Sequence, residues 1–152
     1  MQALLVVHSL LRWFVLLFGL WTLLSAIAGV VGNKAYSASD SRANFSFMLG
    51  MDVQLLVGLA LYFAGGWFDR LKDLGNNMHD ANLRFFTLEH EVMMIIAWIL
   101  VHAGRVSVKK ATSSPAKFKR SLIFFGIAFL LVLVATPWPF REAVARPLIR
   151  WF

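Results

Sequence analysis

Cysteine is absent from this 152-residue chain. Its absence excludes disulfide bonds, thiolate metal sites, iron–sulfur clusters and the covalent attachment of c-type haem. Charged residues are also scarce, at 15%, which is too few to cover the surface of a soluble domain of this size. The sequence has no phosphate-binding loop, hydrolase nucleophile motif or zinc-protease motif. These absences argue against a soluble enzyme and against covalent catalysis.

Apolar residues dominate the composition instead. The chain is 59% hydrophobic, and its mean hydropathy is +0.69. A membrane-spanning helix needs roughly 20 apolar residues, and runs long enough to span lie at about 3–31, 45–68, 85–106 and 121–138. We therefore predict a single all-α transmembrane domain, an integral membrane four-helix bundle with antiparallel up-down topology. The segment from 70 to 84 is predicted to be an aqueous loop.

The distribution of basic residues predicts the orientation in the membrane. With four antiparallel spans, both termini share one side with the second loop. The first and third loops share the other side and carry Lys34, Arg42, Arg105, Lys109, Lys110, Lys117, Lys119 and Arg120. The positive-inside rule places these loops in the cytoplasm and both termini in the periplasm. The net charge of +7 suits anionic lipid head groups, and no nucleic-acid partner is expected.

The tail at 140–152 alternates arginines with aromatic residues. The residues concerned are Phe140, Arg141, Arg146, Arg150, Trp151 and Phe152. Aromatic rings favour the membrane interface, and arginine side chains extend toward head groups. We therefore predict that the tail lies on the membrane surface, with contact to a partner subunit as the alternative.

Two histidines are predicted to lie at the same depth in the membrane. His8 is just inside the start of the first span, and His90 is just inside the start of the third, which enters from the same side. If these helices are neighbours, the imidazoles can face each other and bind the iron of one haem b. Arg12, one turn beyond His8, could then pair with a haem propionate. The alternative is that both histidines are interfacial residues satisfied by backbone, water and head groups.

His102 does not fit a second haem. It follows His90 by twelve residues on one helix, a rise of about 18 Å with a rotation of about 120°. The nearest polar residues at its depth are Asp52 and Gln54. We predict a hydrogen bond from His102 to one of these, or a quinone or proton site formed by all three.

Glu89 and Glu91 flank His90 and invite a metal-ion interpretation. Adjacent residues on a helix point about 100° apart, so the three side chains cannot readily bind one ion, although His8, His90 and one glutamate could. The sequence favours glutamates that lie at the helix N-terminus, near water. Met94, one turn beyond His90, is a second candidate axial ligand or a packing residue.

Several short motifs resemble a known group of proteins. They are His8-Ser9-Leu10-Leu11-Arg12-Trp13, Gln54-Leu55-Leu56-Val57-Gly58-Leu59 with Tyr62-Phe63, Glu89-His90-Glu91 with Met94, Gly104-Arg105, and Pro137-Trp138-Pro139. Together they resemble short four-helix bacterial membrane proteins described as cytochrome b-like. The resemblance implies a b-type haem in the bacterial inner membrane, with His8 and His90 at the matching ligand positions. The chain departs from the pattern at Asp52, where that group commonly has a histidine.

The sequence thus predicts a membrane cytochrome that carries one haem b on His8 and His90. It would pass electrons between quinol or a membrane partner and an acceptor on the outer side, as an electron-transfer protein rather than a stand-alone enzyme. The expected partners are the lipid bilayer and quinone, with a larger respiratory membrane complex or a second copy of the chain left open. The alternatives are a non-redox structural or assembly subunit and a small metal-handling transporter.

Overall fold

Four long apolar helices make up most of the protein. The computed structural model describes residues 1–151, and it is 79% helical with no strand in that range. The long helices are α1 (Gln2–Gly32), α2 (Ala38–Ala64), α3 (Ala81–Lys110) and α4 (Ser114–Ala135), each long and apolar enough to cross a membrane. The prediction of an all-α chain is therefore confirmed, and the four helices fit the predicted multi-pass membrane protein. Phe152, assigned above to the tail, lies outside the described residues.

Helix α2 begins at Ala38, before the predicted start of the second span at 45 and inside the segment predicted to be a loop. Ser37 Oγ accepts a hydrogen bond from the Asp40 N–H, and Asp40 Oδ2 accepts one from the Ser37 N–H at 2.8 Å. This capping box satisfies two N–H groups that would otherwise lack partners. Serine and aspartate also favour turns, which is why the sequence alone predicts a loop here.

Helix α4 also begins before its predicted start at 121. Ser113 caps it by accepting a hydrogen bond from the Ala116 N–H, and Pro115 lies in the first turn. Proline is favoured there because the first N–H groups of a helix have no partner inside the helix. The same proline, read from the sequence, suggests a loop. At the other end, α2 and α4 finish at Ala64 and Ala135, before the predicted 68 and 138.

The connection between α2 and α3 is more ordered than the predicted aqueous loop at 70–84. It contains a 3₁₀ helix at Asp69–Asp73 and a helical turn at Leu74–Asn77. Helix α3 then starts at Ala81, where the Asp80 side chain accepts a hydrogen bond from the Leu83 N–H. The last residues predicted to be loop therefore form the first turn of α3.

The tail folds back on the helix bundle. The Arg146 N–H donates to the Pro137 carbonyl at 3.1 Å, which closes a loop at the end of α4. The Trp13 indole N–H donates to the Leu148 carbonyl at 2.9 Å, and the Arg12 guanidinium donates to the same oxygen. These contacts with α1, which the sequence did not predict, place the tail over the end of the bundle where α1 begins.

Helices α1 and α3 lie diagonally across the bundle. Helix α1 packs against α2 and α4, and α3 packs against the same two helices. In the described residues, α1 and α3 share no comparable interface. The condition stated above, that the helices carrying His8 and His90 are neighbours, is therefore wrong. Each long helix packs against the next one along the chain, which leaves the first and third on opposite corners.

Glycines bring the helices close together where phenylalanine rings cross the core. A Cβ added at Gly29 would lie 2.3 Å from the Phe118 ring, and one added at Gly19 would lie 2.5 Å from the Phe129 ring. Small residues at helix contacts allow the close packing on which helix association in membranes depends. Gly32, by contrast, has open space around it.

We predict that Gly29→Ala destabilises the bundle, whereas the matched variant Gly32→Ala does not. The added methyl at position 29 overlaps the Phe118 ring, and overpacking of this kind costs about 1–3 kcal/mol. Thermal unfolding of the two purified variants in detergent measures the difference. Equal melting temperatures for both variants would contradict the close α1–α4 contact.

Candidate functional site

His8 and His90 meet at the centre of the bundle. Their ring centroids are 6.3 Å apart, and the ring planes are inclined at 70°. The two helices that carry them are diagonal. At this distance neither α2 nor α4 lies between the rings. Two imidazoles from opposite corners of the bundle therefore face each other at one depth.

The orientation of His90 is fixed by the end of α4. Its Nδ1 lies 2.8 Å from the carbonyl oxygen of Ala135, the last residue of that helix. A carbonyl only accepts, so Nδ1 carries the hydrogen and Nε2 is left with its lone pair. Metal-binding histidines typically donate their second ring N–H to a carbonyl or carboxylate in this way. The arrangement thus leaves Nε2 available as a ligand.

A π-helical segment precedes His90 directly. Residues Phe85–Glu89 form this wider turn inside α3, and π turns occur frequently at functional sites. The Tyr62 hydroxyl donates to the Thr87 carbonyl at 2.7 Å in a buried position, which supplies a partner to the distorted backbone. The extra residue of a π turn changes which side chains face the core. Helical periodicity assumed from sequence does not detect such a turn.

His8 is less completely satisfied than His90. The Gln54 side-chain amide donates to the His8 carbonyl at 3.2 Å, and its nitrogen lies 3.3 Å from His8 Nε2. His8 Nδ1 is buried and has no hydrogen-bond partner in the described residues. Gly58 lies against the ring, where an added Cβ would be 3.4 Å from His8 Cε1. A buried polar atom without a partner is costly, so His8 is not explained as a residue satisfied by its surroundings.

A cavity surrounds the two histidines. Its enclosed volume is about 150 Å³. Its total empty volume, which includes the part open to solvent, is about 1000 Å³. Its polar wall includes Gln54 and Glu91, and Met94 contributes to its apolar wall. The other described residues that line it include Ser9, Arg12, Met51, Gly58, Tyr62, Trp67, Phe86, Arg146 and Arg150.

The two glutamates beside His90 have different surroundings, contrary to the expectation that both lie near water at a helix start. Glu89 forms an ion pair with Arg84, with 2.6 Å between Oε1 and Nε, whereas Glu91 lines the cavity. The expectation is wrong because α3 begins at Ala81. The glutamates are therefore not at a free helix N-terminus, and the rotation between them separates their side chains.

Three arginines line the cavity, of which the sequence analysis singled out one. Arg12 comes from α1, and Arg146 and Arg150 come from the tail. Burial and the nearby charge of Arg150 lower the pKa of Arg146, so an anion placed between them would relieve their repulsion. The tail arginines were missed because their alternation with aromatics predicts a surface segment and gives no sign of the fold-back.

The polar residues in the middle of α2 belong to two different sites. Asp52 Oδ1 accepts a hydrogen bond from the Trp98 indole N–H at 2.7 Å and lies 2.7 Å from His102 Nε2. Gln54 contacts His8 instead. The hydrogen bond of His102 to Asp52 is thus present, but Gln54 does not join it, because residues two apart on a helix point about 200° apart.

The alternative of a metal-ion site has no geometric support within residues 1–151. No group of three or more histidine, aspartate or glutamate side chains there is arranged to hold a metal ion.

Comparisons of the chain with protein-family models, with curated proteins and with solved structures give no match. The function of the protein is therefore inferred from the geometry of the His8–His90 cavity.

We predict that Tyr62→Phe destabilises the protein. The change leaves the buried Thr87 carbonyl without its partner, which costs about 1–3 kcal/mol. Thr112→Val, which removes an exposed hydroxyl, is the control and should leave stability unchanged. Thermal unfolding in detergent measures both variants. A Tyr62→Phe protein as stable as the parent would show that the π segment does not need this hydrogen bond.

Proposed function

We propose that this chain is a membrane b-type cytochrome in which His8 and His90 bind the iron of one haem b. The observation that carries the proposal is the 6.3 Å between the two ring centroids. A metal–imidazole bond is about 2 Å, and the bonded nitrogen lies about 1 Å from the centre of its own ring. Two imidazoles on opposite sides of one metal atom therefore have centroids about 6 Å apart.

The surroundings of the histidines also support this proposal. The His90 Nδ1–H is held by the Ala135 carbonyl, which orients the ring for a ligand bond at Nε2. His8 Nδ1 has no partner among the described residues. Ligand pockets commonly hold about 300–1000 Å³, and the enclosed part of this cavity holds about 150 Å³. A porphyrin would therefore also occupy the open part of the cavity. If His8 binds through Nε2, the Gln54 amide must turn away from it.

The roles of the chain's own residues follow from their positions. A b-type haem supplies reversible one-electron exchange. His8 and His90 would hold the metal from α1 and α3, and the arginines of the cavity would bind the carboxylates of the group. Met94, on the cavity wall, would pack beside it. Burial and the arginines would favour the reduced form of the haem, and a charged Glu91 would favour the oxidised form.

A purely structural subunit explains these features less well. Polar contacts that only join helices should satisfy their own hydrogen-bonding atoms, yet His8 leaves a buried nitrogen unpaired. A metal-handling transporter would need a group of several ligands, which the described residues lack. The electron-transfer role needs only two facing ligands, and it gives the unpaired nitrogen a partner if His8 binds through Nδ1.

The proposal includes an orientation. We place the protein in the bacterial inner membrane as an antiparallel up-down bundle with both termini in the periplasm. The basic residues at 105–120 and Lys34 support a cytoplasmic position for the opposite end. The tail contacts the start of α1 beside the cavity, so the site would lie near the outer face. Quinol or a membrane partner would donate electrons, and an acceptor on the outer side would receive them.

The decisive experiment is optical. Protein purified after expression with sufficient haem should show a Soret band and a reduced α-band, with about one haem per chain. His8→Ala and His90→Ala should each abolish the spectrum, because each removes one axial ligand. His79→Ala, at an exposed histidine, is the control and should retain it. A colourless parent protein, or haem retained in both ligand variants, would refute the proposal.

We further predict that Arg146→Gln weakens haem retention. A hydrogen bond to a charged group contributes about 1.5–3 kcal/mol, so haem should transfer to apomyoglobin about tenfold faster or more. The control is Arg42→Gln, which removes an exposed arginine outside the cavity. Equal transfer rates for the two variants would exclude Arg146 from carboxylate binding.

A further inference from the structure

A second polar site lies on the outside of the bundle, away from the histidine cavity. Asp52 on α2 and His102 on α3 form a 2.7 Å contact, and their side chains remain 32% and 37% exposed. Both residues are within helices that are apolar enough to cross a membrane. An aspartate and a histidine exposed at this depth face lipid rather than water, where polar groups are costly and usually have a functional reason.

The hydrogen bonds of this pair are incomplete in a specific way. Asp52 Oδ1 accepts from both the Trp98 indole N–H and His102 Nε2, so the hydrogen of a neutral imidazole lies on Nε2. His102 Nδ1 then keeps its lone pair, and no hydrogen bond to it is present within residues 1–151. The Trp98 and His102 rings lie 4.6 Å apart between centroids. The pair therefore presents one hydrogen-bond acceptor beside an aromatic face.

A groove open to the bilayer leads to His102. It is lined by Trp98, Ile99, His102, Ala103, Val106, Ser107, Lys110 and Arg120, and its volume is about 600 Å³. Lys110 and Arg120 are at the end where α3 meets the next loop, and the middle of the groove is apolar. A ligand that reaches His102 along this groove must be soluble in lipid and must carry a hydrogen-bond donor.

We propose that this groove binds the hydroquinone ring of an isoprenoid quinol, with a hydroxyl donating to His102 Nδ1 and the ring beside Trp98. Asp52 is a positioning residue, because its bond to Nε2 holds the acceptor nitrogen toward the ligand. A phospholipid could use Lys110 and Arg120, but its acyl chain would leave the His102 acceptor unsatisfied. The site deepens the proposed function, since it names where the quinol donor would bind.

Binding of decylubiquinol to the detergent-solubilised protein, measured anaerobically by titration calorimetry, tests the proposal. We expect saturable binding, weakened about tenfold or more in His102→Leu and Asp52→Leu, in line with loss of a hydrogen bond or of the bond that positions its acceptor. Lys109→Gln, which removes an exposed lysine outside the groove, should bind like the parent. The dimethyl ether of the same quinol, which has no hydroxyl hydrogen, should bind the parent as weakly as decylubiquinol binds His102→Leu.

Photolabelling with an azido-quinol analogue, kept reduced under anaerobic conditions, keeps the test valid if a variant fails to fold. The label on the parent protein should map to residues 98–107 of α3. No saturable binding, labelling elsewhere, or equal binding of the ether would overturn the site. An anionic phospholipid that displaces decylubiquinol, and whose binding is lost in Lys110→Gln, would indicate a lipid site instead.

The haem content of each preparation separates this result from the proposed function. The parent and the His102→Leu variant should carry equal haem, because residue 102 does not line the histidine cavity. Quinol binding that depends on His102 in a colourless protein would retain this site and refute the cytochrome. A haem-loaded protein without quinol binding would do the reverse.

Discussion

Within a membrane, the polar groups of a protein must find their partners inside the protein, and this constraint shapes the whole bundle. The free carbonyl of Ala135 at the end of α4 is satisfied by His90, and the carbonyl of Thr87 in the π segment is satisfied by Tyr62. Both bonds connect different helices, so they also fix how the helices lie. His8 Nδ1 is an exception among the described residues, and that exception lies at the centre of the candidate site.

The site depends on irregular features of otherwise regular helices. The π segment before His90 changes the rotation of α3. The tail then brings arginines to the cavity. Together they surround two imidazoles with cationic and apolar groups, which is an environment suited to an amphipathic, anionic cofactor.

The sequence predicts those parts of this arrangement that depend on composition and distance along one helix. Four apolar runs give the spans, and similar distances from the predicted span starts lead to similar depths for His8 and His90, although α3 begins earlier, at Ala81. Which helices are diagonal depends on packing among side chains far apart in the chain. The sequence therefore does not reveal that α1 and α3 are diagonal rather than neighbours. The π segment and the fold-back of Arg146 escape sequence reasoning because regular periodicity and amphipathic patterns carry no information about either.

The position of Asp52 also bears on the resemblance to cytochrome b-like proteins. That group commonly has a histidine where this chain has Asp52, which would matter if position 52 faced the cavity. It does not: Met51 and Gln54 line the cavity, whereas Asp52 points to Trp98 and His102. In this bundle a histidine at position 52 would meet α3 on its outer side, away from His8 and His90. The departure therefore leaves the His8–His90 pair unchanged, and it gives His102 a carboxylate partner.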